Sequence, residues 1–321
     1  MWDTEVDVVV IGAGLGGLAN AIATVDAGGE VLVAAAISDG SDAPGVSVGS
    51  GGRVDSTSGT LRDRVGARHG WLVHDTVDLE TNEYFDAVAD CVLDMPVDAG
   101  DGSVPRRDAR NLSREEAFGR HVETFVGARL AGWAAQCIAS PYGLLYTSMQ
   151  DWRSTPMKSA TGESIEAFSV GEIEWADGFG QSTLRQWMTA QARDRDIEVE
   201  PASTLERIVF EEGVIAGVVL TTPDGPLAVR VRAGITFAPA DTDADLDAAS
   251  AAPGDRLQVC IVGRTASRFG RVELMATEPA TPSRPTCTGS RRQVRDGLHD
   301  ARQQNLEGWR CGKVHGYPAL G

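Results

Sequence analysis

The sequence predicts an α/β fold of the Rossmann type, in which helices cover both faces of a parallel sheet. Residues 6–11 form a largely apolar run suited to a strand buried on both faces. Glycines at positions 12, 14 and 17 follow, and apolar residues then repeat at helical spacing as far as Val25. A second buried run at 31–34 completes the strand, turn, helix and strand of a dinucleotide-binding unit.

Each glycine of this turn has its own physical role. Gly12 permits the tight turn, Gly14 lets a pyrophosphate approach the backbone, and Gly17 lets the helix pack closely on the strand. The N–H groups at the start of the helix have no partner within it and favour an anion. The predicted diphosphate-binding residues are consecutive: Gly12, Ala13, Gly14, Leu15, Gly16 and Gly17.

The end of the second strand departs from the usual pattern. Dinucleotide sites carry an Asp or Glu there to accept the ribose hydroxyls, and this position is Ala35. A charged hydrogen bond contributes about 1.5–3 kcal/mol, so its loss weakens binding roughly tenfold to a hundredfold. Asp39 and Asp42, in the loop that follows, remain as alternative acceptors. NADP is not favoured, because Arg53 lies too far along the chain to hold a ribose phosphate.

Length and composition bound the class of protein. With 321 residues and 42% hydrophobic content, the chain can bury a full core in one large domain or two interleaved ones. A net charge of −17 argues against nucleic acids and anionic membranes as partners. Five scattered cysteines without ligand spacing, and no leader or spanning segment, predict a cytoplasmic protein without a metal site.

The middle of the chain predicts a loop followed by helices. Residues 38–59 are rich in glycine and serine, which fits either a loop close to a ligand or a surface crossover. A helical pattern runs over 75–95. A second one follows the capping box Ser113–Glu116 and continues toward Trp133. These helices would form a small cap on the sheet.

A second informative block begins after residue 178. It predicts a helix, a short strand, a three-stranded antiparallel meander and a further buried strand, at 181–193, 197–200, 205–210, 214–220, 227–232 and 234–240. Two more runs, 257–262 and 271–276, have the pattern of a hairpin.

Together the opening and the second block resemble the FAD-binding half of the fumarate reductase/succinate dehydrogenase flavoprotein and 3-ketosteroid dehydrogenase superfamily. The resemblance covers roughly residues 5–60 and 178–241. It implies FAD as the cofactor, with its pyrophosphate at the glycine turn. It also implies three further groups of cofactor-binding residues. Ser50, Gly51 and Gly52 would lie beside the flavin, and Thr204 and Leu205 beside the adenine. Ala238 would bind the cofactor at the end of the last buried strand. Pro239 and Ala240 stand where the family has glycines.

The resemblance also implies a domain organisation. Residues 1–68 and 178–262 would form the FAD-binding Rossmann domain, 69–177 a helical insertion or cap, and 263–321 a hairpin remainder with a C-terminal arm. The family's closing glycine-rich segment has no counterpart after residue 241. The arm is poor in apolar residues but carries Trp309 and Tyr317, which predicts docking onto another subunit in a homo- or hetero-oligomer.

Catalytic candidates come from the predicted cap. In relatives, tyrosines move protons beside the flavin and arginines hold carboxylates or donate protons, and the residues of those types here are Tyr142, Tyr146 and Arg153. The alternative is that they only pack the core or the cap. Trp133 and the other tryptophans are open to the same two interpretations, packing or flavin stacking.

Two functions follow from these patterns. In the first, the protein is an FAD-dependent oxidoreductase. It would transfer a hydride to or from a carbon–carbon bond next to a carbonyl, in a steroid ketone, an enoyl thioester or a dicarboxylate. In the second, it is a flavoprotein-like subunit, weakly active or inactive, with a structural or regulatory role in a complex. The intact glycines favour the first; Ala35 and Pro239 favour the second.

Overall fold

The structure is a computed structural model, and its described part comprises nine stretches of the chain, residues 1–35, 78–90, 104–113, 116, 127–148, 154–175, 181–239, 254–265 and 267–277. The chain divides into two compact units, Met1–Pro279 and Ala280–Gly321, and all described residues belong to the first. The predicted C-terminal arm and its two aromatic anchors therefore lie outside the described residues. All five histidines of the chain and the Ser50-Gly51-Gly52 loop also lie outside the described residues.

Helices and strands have the following bounds in the described part of the chain. The helices are α1 (Leu15–Asp26), α2 (Leu79–Asp90), α3 (Gly127–Ala139) and α4 (Gln181–Arg193). The strands are β1 (Thr4–Ile11), β2 (Val31–Ala34), β3 (Arg106–Asn111), β4 (Gly143–Tyr146), β5 (Thr155–Ser159), β6 (Ser164–Glu174), β7 (Val199–Glu200), β8 (Thr204–Glu211), β9 (Val214–Thr222), β10 (Gly225–Phe237), β11 (Arg256–Gly263) and β12 (Phe269–Thr277). None of these helices has the length and apolar character needed to cross a membrane.

The twelve strands join one mixed sheet with two different regions. In the first region β7, β2, β1 and β10 lie side by side and run parallel. The meander β8, β9 and β10 extends it with antiparallel pairs. The mixed α/β class is as predicted, but the parallel arrangement is limited to these four strands and to the β3–β12 pair elsewhere in the sheet.

One strand replaces two that the sequence separates. The predicted strands 227–232 and 234–240 form the single strand β10, which pairs with β9 at its start and with β1 over most of its length. Gly234 makes this continuity possible, since its φ of +144° absorbs a shift in register beside Val6 and Val8. Gly234 thus lies at a bulge inside a strand, whereas the sequence predicts a break between two strands there.

The predicted helical cap is wrong in its secondary structure. Between α2 and α4 the described residues form four strands and α3. Strands β11, β6, β5, β3 and β12 close on one another through the β11–β12 pair. This five-stranded barrel includes the hairpin that the sequence predicted at 257–262 and 271–276. Residues 164–174 alternate between buried and exposed positions, the pattern of a strand with one face buried.

Helix α1 lies between the parallel strands and the barrel. Ala21 packs with Val8 and Val10 of the parallel strands. On other sides of the helix, Leu18 belongs to the same apolar cluster as Val259 of the barrel. Every residue from 15 to 24 is buried, so α1 is the shared core of the two regions. Its N-terminus, which carries the glycine turn, is fixed by packing from both sides.

Asn20 is a polar residue that is buried in α1. Its side chain is 0% exposed, and neither atom of its amide has a hydrogen-bond partner among the described residues. A buried amide without a partner is destabilising. We expect Asn20→Leu, which has similar volume, to raise the free energy of unfolding by about 1–2 kcal/mol.

Denaturant unfolding of the two proteins measures this difference. Thr24→Val is the matched control, because the Thr24 hydroxyl donates to the Asn20 carbonyl at 2.9 Å. The control should lower stability by about 1 kcal/mol. A loss of stability in Asn20→Leu would show that the amide has a partner outside the described residues.

Candidate functional site

The glycine turn brings together the carboxyl ends of three parallel strands. Gly12 follows β1, its N–H donates to the Ala34 carbonyl of β2 at 2.8 Å, and the N–H of Ala238 after β10 donates to Ile11 at 2.8 Å. Gly12 has a φ of +102°, and a Cβ there would overlap the Ala238 carbonyl. Only glycine is compatible with both conditions. In open α/β sheets, this edge is where ligands bind.

Gly17 and Gly14 give the start of α1 its shape. A Cβ on Gly17 would overlap the Gly12 carbonyl, so the helix approaches the turn as closely as the dinucleotide pattern requires. Gly14 is the N-cap in an extended conformation and has no side chain with which to cap the helix. The first turn contains no acidic residue. The helix therefore presents backbone N–H groups and its positive dipole end to an incoming anion.

Gly16 faces the main chain of another element. A Cβ on Gly16 would lie 3.1 Å from the Gly143 carbonyl oxygen and 3.2 Å from that of Tyr142. The Tyr142 carbonyl accepts a hydrogen bond from Val272 at 3.0 Å, which fixes this turn against the barrel. One side of the first turn of α1 is thus bounded by main chain between α3 and β4.

Tyr142 and Tyr146 are both buried in the core beside α1. They belong to the same apolar cluster as Leu15 and Leu18. Burial raises the pKa of Tyr146 well above its ordinary value, so its phenol keeps its proton. A Cβ on Gly270 would lie 3.1 Å from that phenol oxygen, which places it beside β12. The burial of both tyrosines fits the packing interpretation, and Arg153 lies outside the described residues.

Ala35 is held by its backbone at the end of β2. Its N–H donates to the Glu200 carbonyl at 3.0 Å, and its own carbonyl accepts from Ser203 at 2.8 Å. Glu200 ends β7 in register with Ala34. An acid therefore stands on the neighbouring strand, next to the position where the sequence has alanine.

The Glu200 side chain is half-buried. Sequence reasoning missed it because the acid was sought only after β2, where Asp39 and Asp42 lie outside the described residues. The available signal was an acid at the end of a short predicted strand. Its place beside β2 depends on the order of strands in the sheet.

The other predicted cofactor residues that fall within the described stretches lie along the same edge. Thr204 is exposed at the start of β8, Leu205 is buried, and both follow the Ser203 that binds Ala35. Ala238 is buried directly beside Gly12. Pro239 follows it and has no N–H to donate. The described residues contain no group of His, Cys, Asp and Glu side chains suited to a metal ion.

Several solved enzyme structures resemble this one at low sequence identity. One is the 3-ketosteroid-Δ4-(5α)-dehydrogenase from Rhodococcus jostii RHA1, solved with 4-androstene-3,17-dione. Its sequence is 18% identical, and the match covers 73% of this chain and 46% of that chain with a TM-score of 0.28. The open conformation of a flavocytochrome c3 fumarate reductase is 14% identical. That match covers 72% of this chain and 33% of the reductase chain, with a TM-score of 0.26.

Aklavinone-11 hydroxylase, solved in a ternary complex with FAD and aklavinone, is 20% identical. That match covers 72% of this chain and 32% of the hydroxylase chain, with a TM-score of 0.24. The chain thus spans less than half the length of these three proteins. No family model and no curated protein matches the sequence. The function proposed below rests on the residues of this chain.

Proposed function

We propose that this chain binds FAD at the glycine turn and acts as a flavin-dependent oxidoreductase. The observation that carries the proposal is the geometry of Gly12, Gly14 and Gly17. Two of these positions exclude a Cβ, and the third caps α1 without a side chain. This combination leaves the backbone N–H groups at the start of α1 available to a diphosphate, at the sheet edge where ligands bind.

The proposed orientation of FAD follows from the strand order. The pyrophosphate would lie against residues 14–17. The adenosine would lie toward the end of β2, beside Ala35, Thr204 and Leu205. The Glu200 carboxylate, on the neighbouring strand, would accept from the ribose hydroxyls. The flavin would lie toward Ala238 and the Ser50-Gly51-Gly52 loop.

Bound FAD would accept a hydride from, or return one to, a carbon–carbon bond next to a carbonyl. The substrate would be a steroid ketone, an enoyl thioester or a dicarboxylate. Tyr146 would be one of the residues that handle protons in this reaction. Tyr142 and Arg153 are the other proposed proton-handling and carboxylate-holding residues.

A specific observation favours a second function, that of a flavoprotein-like subunit with weak or no activity. The position after β2 is Ala35, and Pro239 removes an N–H donor beside the turn. Such a subunit would act through a partner, in a homo- or hetero-oligomer formed by the C-terminal arm.

The visible spectrum of the purified full chain, with and without added FAD, separates the two functions. A flavin band that stays with the protein through gel filtration, and that is bleached anaerobically by a reductant, supports the oxidoreductase. A colourless chain that ignores FAD and co-purifies with a second polypeptide supports the subunit.

Glu200 gives the proposal a residue-specific test. We expect Glu200→Gln to weaken FAD binding about tenfold, because it removes a charged acceptor of the ribose hydroxyls. Adding Ala35→Glu to the Glu200→Gln variant should restore most of the affinity for FAD, because it puts an acid at the end of β2. Fluorescence titration with FAD measures both.

Glu198→Gln is the matched control for this pair. It removes an exposed carboxylate two residues earlier on the same edge and should leave the affinity unchanged. Equal affinities of wild type and Glu200→Gln would show that the ribose does not reach β7.

A further inference from the structure

One end of the barrel carries a cluster of charged side chains unrelated to the glycine turn. We call it the arginine cluster, and its members are Arg107, Glu163, Arg264, Arg271 and Glu273. They come from the starts of β3, β6 and β12 and from the end of β11. Register brings these strand ends together, since β6 pairs with β11 and β11 with β12 at this end.

The two carboxylates of the arginine cluster are fully engaged. Glu273 has a side-chain exposure of 0% and accepts from Arg107 Nε at 2.6 Å and from Arg271 Nε at 2.7 Å. Glu163 accepts from Arg107 at 3.0 Å and from Arg264 at 2.8 Å. Burial alone would raise the pKa of Glu163, but the hydrogen bonds from these two arginines hold it below its ordinary value.

The arginines have donors left over. Arg107 uses all three of its guanidinium nitrogens on the two carboxylates. Arg264 donates only through one terminal nitrogen, and its buried Nε has no partner among the described residues. Arg271 donates only through Nε. Both lie over the indole of Trp133, with guanidinium carbons 5.3 and 5.2 Å from the ring centroid.

The charges do not balance within the arginine cluster. Three guanidinium groups face two carboxylates, which leaves one positive charge in excess. The thiol of Cys137 cannot supply the missing negative charge, because burial raises its pKa and keeps it protonated. Glu166, the neighbouring acid on β6, lies on the outer face, where it accepts from Thr265. No other described carboxylate reaches Arg264 or Arg271.

An anion from solution is the natural complement of this arrangement. Positive charge in excess of its carboxylate partners is costly where it is largely buried, and an anion from solution would balance it. Arg264 and Arg271 are 19% and 14% exposed, so solvent reaches them. The planar fork of a guanidinium matches a carboxylate with two oxygens better than it matches a spherical ion.

We propose that the arginine cluster is a binding site for a small carboxylate, held by Arg264 and Arg271 beside Trp133. The carboxylate neutralises the excess charge and takes up the free N–H donors. The proposal does not depend on the FAD proposed at the glycine turn.

Acetate is the probe for this site in the full-length protein. The midpoint of thermal unfolding should rise saturably with sodium acetate, by about 5 °C at roughly a hundredfold excess over the dissociation constant. Sodium chloride at equal ionic strength should give a smaller change without saturation. Superimposable acetate and chloride curves would overturn the proposal, and a larger effect of phosphate than of acetate would overturn the carboxylate assignment.

Arg264→Lys tests the geometry of the site while it keeps the charge. It should weaken the acetate response at least about tenfold, because an ammonium group lacks the planar fork. Arg256→Lys, at the exposed start of the same strand, is the control and should keep the wild-type response. Isothermal titration calorimetry with acetate gives the same comparison without relying on unfolding. An unchanged affinity in Arg264→Lys would contradict the proposal.

Discussion

Gly14→Val is expected to abolish FAD uptake while the protein remains folded. Gly14 has a φ of −68° and a ψ of −179°, an extended conformation open to any residue, so valine brings no backbone strain. Its branched side chain would stand at the N-cap of α1, where the diphosphate meets the N–H groups. Loss of two charged hydrogen bonds weakens binding by about a hundredfold or more.

Fluorescence titration with FAD, alongside circular dichroism, measures both parts of this prediction. Gly14→Ala should give an intermediate loss. Gly12→Ala should instead damage the fold, since its φ is +102° and a Cβ would overlap the Ala238 carbonyl. Unchanged FAD affinity in a folded Gly14→Val protein would place the cofactor elsewhere.

Glu273→Gln is expected to cost about 3–5 kcal/mol of unfolding free energy. The Glu273 side chain is fully buried and is shared by Arg107 and Arg271. Glutamine keeps the size but leaves Arg271 without a charged acceptor and Arg107 with Glu163 alone. Burial lowers the pKa of Arg107, but the hydrogen bonds that it donates to Glu273 and Glu163, together with the charges of these two carboxylates, hold the pKa above its ordinary value, so the arginine stays charged.

Guanidinium chloride unfolding measures the cost, provided that the slope of the transition is unchanged. The control is Glu172→Gln, whose carboxylate lies 3.7 Å from Arg256 in an exposed pair and should change stability by less than about 1 kcal/mol. A cost for Glu273→Gln as small as that of the control would show that the barrel tolerates its arginines unpaired.

Local patterns account for the parts of the fold that the sequence predicted. The glycine turn, α1, α4 and the meander are specified by contiguous residues, through glycine spacing and through the periods of helix and strand. The capping box is equally local: the Ser113 N–H donates to Glu116, and the Glu116 N–H donates to Ser113 at 3.2 Å.

Long-range pairing explains what the sequence did not show. The barrel joins β3 (106–111) and β5 (155–159) with β11 (256–263) and β12 (269–277), so strands from distant parts of the chain must come together. The cost of closing such long loops is met only when all the pairs form together. Glu200 belongs to the same class, because it becomes a neighbour of Ala35 only through the order of β2 and β7.

A crystal structure of the full chain grown with FAD is the most direct test of the diphosphate site. The account predicts pyrophosphate oxygens within hydrogen-bonding distance of backbone N–H groups in residues 14–17, with the ribose toward Glu200. A crevice filled by the protein's own side chains, with no room for the dinucleotide at the start of α1, would contradict it.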